Sequence, residues 1–165
     1  MRLETERLIL RPFEDRDRAP YAAFVADPEV RRFYPDTLDA EAANRMIDGW
    51  QVKLKRNGFH YLAMQRKADG ALVGDVGLAR MEYEVPGKPE VEIGWLVGKP
   101  YWGHGYAPEG ARACLDYAWR KLGLPEVVAF TYRGNSPSRR VMEKIGMTRD
   151  TDGDFDHPLV PRGHR

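Results

Sequence analysis

Residues 99–123, "KPYWGHGYAPEGARACLDYAWRKLG", set two glycines and several aromatics directly before an amphipathic helix. Ala107, Ala111, Cys114, Leu115, Ala118, Trp119 and Leu122 recur at helical spacing, while Glu109, Arg112, Asp116 and Arg120 point away. The pattern predicts a helix starting near Ala107, with Pro108 tolerated in its first turn. Just ahead of it, Gly103, His104, Gly105 and Tyr106 bring backbone amides to the helix N-terminus. Unpaired N–H groups and the positive end of the helix dipole favour a phosphate there, and glycine lets phosphate oxygens approach the backbone. A plain strand-to-helix turn that uses glycine for positive φ accounts for "GHG" equally well. A dinucleotide fingerprint fits less well, because Pro108 stands where the third glycine belongs and no acidic residue ends the next strand. A P-loop is excluded, since no Gly-Lys-Ser/Thr follows.

Upstream, "VEIGWLV" reads as a strand, and "FHYLAMQRK" and "ALVGDVGLARMEY" flank the turn Ala68-Asp69-Gly70, a hairpin signal. With the loop "EVPGKPE" between the second and third, these strands form an antiparallel meander. Nearer the N-terminus come a strand in "ERLILRPF", a helix in "DRDRAPYAAFVAD" and a short piece ended by Pro35. Asp39 caps the helix "AEAANRMIDGWQVKLKRN", in which Ala43, Met46, Ile47, Trp50 and Leu54 share one face, and Gly58 ends it. Downstream lie a strand "EVVAFTY", a polar loop "RGNSPS" and a helix "RRVMEKIG" with Ser136 as its cap, Pro137 at its first position and Gly146 after it. The order β-α-α-β-β-β-α-β-α predicts one α/β domain over residues 1–165, with a mixed, mostly antiparallel central sheet and flanking helices.

Composition bounds the function. The 165 residues are 42% hydrophobic and 31% charged, an ordinary globular balance. The net charge of +1 gives no bulk attraction to nucleic acid or to a membrane. The N-terminal "MRLETERLIL" lacks the apolar core of a signal peptide, and no apolar run approaches a membrane span. The single cysteine, Cys114, excludes an intrachain disulfide, so a reducing, cytoplasmic setting is expected, with Cys114 a packed hydrophobe rather than a nucleophile. His60, His157 and His164 show no metal-ligand spacing, so no metal is expected.

The strand "VEIGWLV", the loop "YWGHGYA" and the helix after it resemble the acyl-CoA-binding core of the GCN5-related N-acetyltransferase (GNAT) superfamily. That family's loop runs Arg or Gln, two residues, Gly, one residue, Gly or Ala; Trp102, Gly105 and Ala107 stand at the three positions. "WGxGYA" around the tryptophan is similar to the RimJ/RimL branch, which acetylates protein N-termini and assorted small amines. The likeness extends through "ETERLILRPF", "GDVGL", "NSPSRRVMEKIGM" and "DFDHP". The family adds a strand after the last of these, and the sequence stops at Arg165 before it. Either the chain is cut short there, or a second copy completes the sheet as a homodimer, since an exposed strand edge invites pairing.

The resemblance implies transfer of an acetyl group from acetyl-CoA to a primary amine, either a protein N-terminus or a small molecule. It implies a CoA site at Trp102, Gly103, His104, Gly105, Tyr106 and Ala107, with His104 pairing with phosphate. Asn135 and Ser138 match the second CoA-contacting motif, and backbone N–H groups at Leu96 and Val97 would polarise the thioester. An alkylamine of pKa ~10 must lose a proton before it attacks. Glu92 falls where some members carry a general base, although a carboxylate on a strand face is the plainer reading. Met142 replaces the tyrosine that many relatives use as proton donor, and a thioether donates no proton. Ser138, one turn earlier, is the replacement candidate, with unassisted thiolate departure its rival. Tyr83 and "EVPGKPE" are candidates for the amine site, Trp50 reads as core, and Asp152, Asp154 and Asp156 read as a solvated loop rather than an amine attractor. A CoA-binding sensor that has lost catalysis is the alternative outside the enzyme class.

Overall fold

The computed structural model describes residues 1–82, 89–151 and 153–156. Strands β1 (Leu3–Glu4) and β2 (Leu8–Arg11) lead into helices α1 (Asp15–Ala26) and α2 (Ala40–Asn57). Strands β3 (Tyr61–Arg66), β4 (Leu72–Arg80) and β5 (Val91–Val97) follow, then a 3₁₀ turn (Lys99–Tyr101) and helices α3 (Tyr106–Arg120) and α4 (Ser136–Lys144). The strands lie in the order β1-β2-β3-β4-β5, and every neighbouring pair is antiparallel.

Local chemistry accounts for most boundaries. The Asp39 carboxylate accepts from the Ala42 N–H at 2.7 Å and starts α2, and Gly58, at φ 79°, ends it. The β3–β4 turn is closed by Arg66 N–H to the Ala71 carbonyl at 2.8 Å and by an Arg66–Asp69 ion pair of 2.6 Å. Eight consecutive residues of β4 are buried, because helices cover both faces of the sheet. On one face α3 brings Ala111, Cys114 and Ala118 against Leu10, Met64 and Val76. On the other, α1 and α2 bring Tyr21, Val25, Ala43 and Ile47 against Ala63 and Leu96. Cys114 is fully buried and burial pushes its thiol up to about 12, so it packs as a small hydrophobe.

Three expectations are corrected. Among the described residues the segment "EVVAFTY" forms only one parallel bridge, Glu92 to Val128. Beyond it Phe130 packs edge-on against Phe155, ring centroids 5.0 Å apart, instead of continuing along β5. Asn135, not Ser136, caps α4, its Oδ1 accepting from the Ser138 N–H at 3.2 Å, so Ser136 is the first helical residue. Trp119 leaves the apolar face of α3 and is 42% exposed.

Strand β2 is tied to α1 by a buried ion pair. Arg11 donates two bonds to Asp17, at 2.6 and 3.0 Å, and a third to Gln65 at 2.6 Å. Arg11 and Asp17 are 3% and 2% exposed. Replacing one member strands a charge in the interior. Arg11→Met is therefore expected to cost about 3–5 kcal/mol in urea unfolding. Adding Asp17→Leu should recover much of that loss, and an unchanged unfolding midpoint in the single variant would contradict this account.

Candidate active site

The site begins at the outer edge of β5. In an antiparallel ladder the backbone groups of one strand alternate between its two neighbours. Ile93 donates to the Val128 carbonyl at 2.8 Å, and Val128 returns a bond to Val91 at 3.2 Å, so odd-numbered residues face outward. Gly98 donates inward to Val73 at 2.9 Å, so even-numbered residues face β4. The same alternation directs the N–H groups of Trp95 and Val97 to the outer edge, past the single bridge. Leu96, in register with Asp75, directs its N–H to β4 instead. Of the two thioester donors that the resemblance implies, only Val97 points its N–H into open space.

That space is a cleft of about 2510 Å³, bordered by Trp95, Leu96 and Val97 on one side and Ala129, Thr131 and Tyr132 on the other. Ordinary small-molecule pockets measure ~300–1,000 Å³, so an extended ligand and a second molecule fit together. The Trp102 indole donates to the Val97 carbonyl at 2.7 Å and fixes the start of the glycine loop to the end of β5. Gly103 and Gly105 adopt φ of 81° and 78°, and Gly105 caps α3 in this left-handed conformation. The loop therefore presents backbone to the cleft, with the α3 N-terminus behind it. Gly103, Gly105, Tyr106 and Ala107 border the cleft. His104 is exposed and stacks on Tyr106, with ring centroids 5.7 Å apart.

Arg7 holds this loop from outside. Its guanidinium donates to the His104 carbonyl at 2.9 Å, pairs with Glu109 at 2.6 Å and lies 4.9 Å over the Tyr106 ring. Glu109 also accepts from the Thr5 hydroxyl and the Arg7 N–H, at 2.5 and 2.9 Å. Although partial burial opposes it, these bonds and the Arg7 charge hold its carboxyl below the usual range. Glu109 is thus half-buried and anchoring, not a solvent-facing helix residue.

Across the cleft, Asn135, Ser138 and Met142 stand on or before α4 and line the same space. The Asn135 amide is already used at both ends: its Nδ2 donates to Thr131 at 3.0 Å and its Oδ1 caps Ser138. One N–H and one lone pair remain for a ligand. Glu92 lines the cleft on the same face of β5 as Gly94 and Leu96. On that face Tyr61 lies over Gly94, where a Cβ would come within 2.5 Å of its hydroxyl.

Trp50 belongs to both core and cleft, its ring 5.6 Å from Phe13 and 5.0 Å from Tyr61. His60 is buried, and burial first, then Lys53, lowers its pKa to about 4, so it is neutral. Asp154 pairs with Arg149 at 3.0 Å and Asp156 is exposed. Tyr83, residues 84–88 of the loop, Asp152, His157 and His164 lie outside the described residues. Among the described residues no group of three His, Cys, Asp or Glu side chains is placed to hold a metal ion, and no helix is long and apolar enough to cross a membrane.

The sequence reading missed Arg7, Thr5 and Asp75. Arg7 and Glu109 are 102 residues apart, so neither announces the other. Asp75 did carry a signal, as the one acid in the apolar run of β4.

Residues 7–148 match the sequence profile described as acetyltransferase (GNAT) domain. The chain belongs to that family of acetyltransferases. It is 34% identical over 147 residues to the uncharacterized protein YkkB of Bacillus subtilis, covering 88% of this chain and 84% of that protein. The crystal structure of an acetyltransferase from Agrobacterium tumefaciens superposes with a TM-score of 0.79 at 31% identity, over 99% of this chain and 88% of that one. Mycobacterium smegmatis RimJ, solved in complex with CoA-disulfide, shares the fold at a TM-score of 0.64 and 18% identity, over 87% and 72% of the two chains.

Arg7 makes loop geometry testable apart from chemistry. Arg7→Ala removes the clamp on the His104 carbonyl, and CoA titrated calorimetrically is expected to bind about tenfold more weakly, ~1.4 kcal/mol. Arg7→Lys should not restore affinity, because an ammonium lacks the guanidinium's fork. Unchanged CoA affinity in Arg7→Ala would show that the loop holds its shape without the clamp.

Proposed function

We propose that this protein transfers an acetyl group from acetyl-CoA to a primary amine, either a protein N-terminus or a small molecule, by direct attack on the thioester. The observation that carries the reading is the opening of β5 past Val128, which aims the Val97 N–H into a cleft closed at one end by the glycine loop. The loop amides of residues 103–107 and the α3 N-terminus suit the pyrophosphate, and Asn135 suits the pantetheine arm. The Val97 N–H suits the thioester carbonyl, where it would stabilise the negative charge that develops during attack. Ser138, with its hydroxyl on the first turn of α4, is the candidate proton donor to the departing thiolate. Glu92 is the carboxylate that the family resemblance offers as base. Family membership supports acetyl-CoA as the donor, and RimJ solved with CoA-disulfide supports a CoA-shaped cleft in this fold. The buried, reduced Cys114 suits a cytoplasmic setting.

A CoA-binding sensor without turnover is the second reading, favoured by Met142 at the place of the usual tyrosine donor. Release of free thiol from acetyl-CoA in the presence of amines separates the two: the enzyme releases it and the sensor does not.

Acetyl-CoA at a hundredfold excess over its dissociation constant should add about 2.7 kcal/mol of stability. Gly105→Val should abolish that shift, because a β-branched residue is strained at φ 78° and its side chain would crowd the Arg7 guanidinium that clamps the loop, so the loop amides lose their arrangement. An unshifted wild-type melting curve at saturating acetyl-CoA would remove the acetyltransferase reading. Ser138→Ala should lower turnover about tenfold or more, a barrier increase of ~1.4 kcal/mol, with acetyl-CoA binding nearly unchanged. Full activity in that variant would return thiolate departure to water.

A further inference from the structure

Asp75 lies at the centre of the most buried strand and is 3% exposed. It is in register with Ala63 on β3 and Leu96 on β5, on the face covered by α1 and α2. The Tyr21 hydroxyl donates to its Oδ2 at 2.8 Å. Its other oxygen, Oδ1, has no hydrogen-bond partner among the described residues and borders the cleft rather than being sealed in the core. A buried carboxylate with one oxygen left unmatched is costly unless a cation or proton meets it. Around it stand the rings of Trp50 and Tyr61, 5.0 Å apart, with Tyr21 5.7 Å from Trp50. Aromatic faces beside a carboxylate suit an alkylammonium, the faces through cation–π attraction and the carboxylate through charge.

Position along β5 separates Asp75 from Glu92. Asp75 stands opposite Leu96, one residue from the Val97 N–H. Glu92 is four residues back along the strand, about 13 Å at ~3.3 Å per residue, beside the Val128 bridge where the edge is closed. We propose that Asp75 is the acceptor's anchor and first base: Oδ1 receives the alkylammonium and then one of its protons, while Tyr21 holds Oδ2. This rests on the acetyltransferase reading and names its substrate as a primary amine that arrives in its cationic form.

The step balances as follows. An N–H bond of the ammonium breaks with its pair left on nitrogen, and an O–H bond forms at Asp75 Oδ1. That pair attacks the thioester carbon, the C–S bond breaks with its pair on sulfur, and the thiolate takes the second nitrogen proton, directly or through Ser138. Products are the acetylated amine, CoA thiol and a proton on Asp75 that returns to solvent.

The electrostatics suit a base. Burial raises the Asp75 carboxyl to about 7, against the lowering effects of the Tyr21 hydrogen bond and the Arg31 charge. The groups facing it are Tyr21 from α1 and Arg31 and Tyr34 from the segment between α1 and α2. Tyr34 lines the cleft with the Arg31 guanidinium 4.0 Å over its ring, and its hydroxyl is raised to about 12, by burial first and then by the Asp75 charge, against the lowering effect of Arg31. Asp75 is therefore anionic above about 7 and protonated, unable to serve, below it.

The experiment measures kcat/KM for CoA thiol release from acetyl-CoA with butylamine across pH 5.5 to 10.5, for wild type, Asp75→Asn, Tyr21→Phe and Glu92→Gln. A tripeptide with a free amino terminus serves as the second acceptor. Wild type should rise with pH through about 7, and Glu92→Gln should keep that limb even if its rate falls. Asp75→Asn should lose about 10²-fold at pH 7.5, with its limb moved to the amine's own pKa, ~10. Tyr21→Phe removes a bond to the carboxylate and should move the limb above 7, a result that does not depend on Asp75→Asn folding. A limb unchanged in both Asp75→Asn and Tyr21→Phe overturns the proposal, as does a limb lost only in Glu92→Gln or no thiol release with either amine. Acetyl-CoA melting shifts are read on every variant. A missing shift in wild type defeats the acetyltransferase reading itself, whereas a normal shift with an unmoved limb defeats only the role of Asp75.

Discussion

Ile93 gives its N–H to Val128, and past that point no backbone group of the described residues pairs with the outer edge of β5. A strand edge left open inside a fold is normally a liability, because its N–H and C=O groups need partners. Here the opening is held by structure on both sides. Trp102 takes up the Val97 carbonyl, and the chain beyond Val128 is drawn away as Phe130 packs on Phe155. What remains is a short row of N–H groups facing a cleft. The glycine loop, the α3 N-terminus and α4 all take their meaning from their distance to that row.

The sheet separates two tasks by direction. The backbone edge of β5 faces the cleft in the plane of the sheet, while the side chains of Glu92 and Leu96 rise on the α1/α2 face with Asp75 and Tyr61. In the proposed reading, CoA meets the edge and the acceptor meets the face. The two meet near Leu96 and Val97, where edge and face are one residue apart. Gly94 matters here, because its missing side chain lets Tyr61 lie across β5. The helices set the boundary of this face: Tyr21 from α1 and Trp50 from α2 close the floor around Asp75.

Most of the fold was legible in the sequence because it is written in local chemistry. The Asp39 cap and Gly58 stop, the Asp69-Gly70 turn and the alternation of "VEIGWLV" each act within a few residues. The glycine loop was legible for the same reason, and its residues border the cleft as a group apart from His104. The failures share a different origin. "EVVAFTY" has the composition of a strand, yet whether it pairs is decided by what Phe130 and Tyr132 pack against. Ser136 and Asn135 are both good caps, and only backbone geometry chooses between them. Arg7 and Glu109 need each other from opposite ends of the sequence. Asp75 looked like one letter of a motif, and its chemistry emerged only when α1 placed Tyr21 on it.

The central claim is that the outer edge of β5 is the seat of the thioester. Hydrogen–deuterium exchange resolved to single amides, with and without acetyl-CoA, tests it most directly. The amides of Trp95 and Val97 and those of residues 103–107 should gain protection on binding. Gly94 and Leu96, whose N–H groups already face β4, should change little. Equal protection across residues 94–97, or protection confined to the other face of the molecule, would contradict the account.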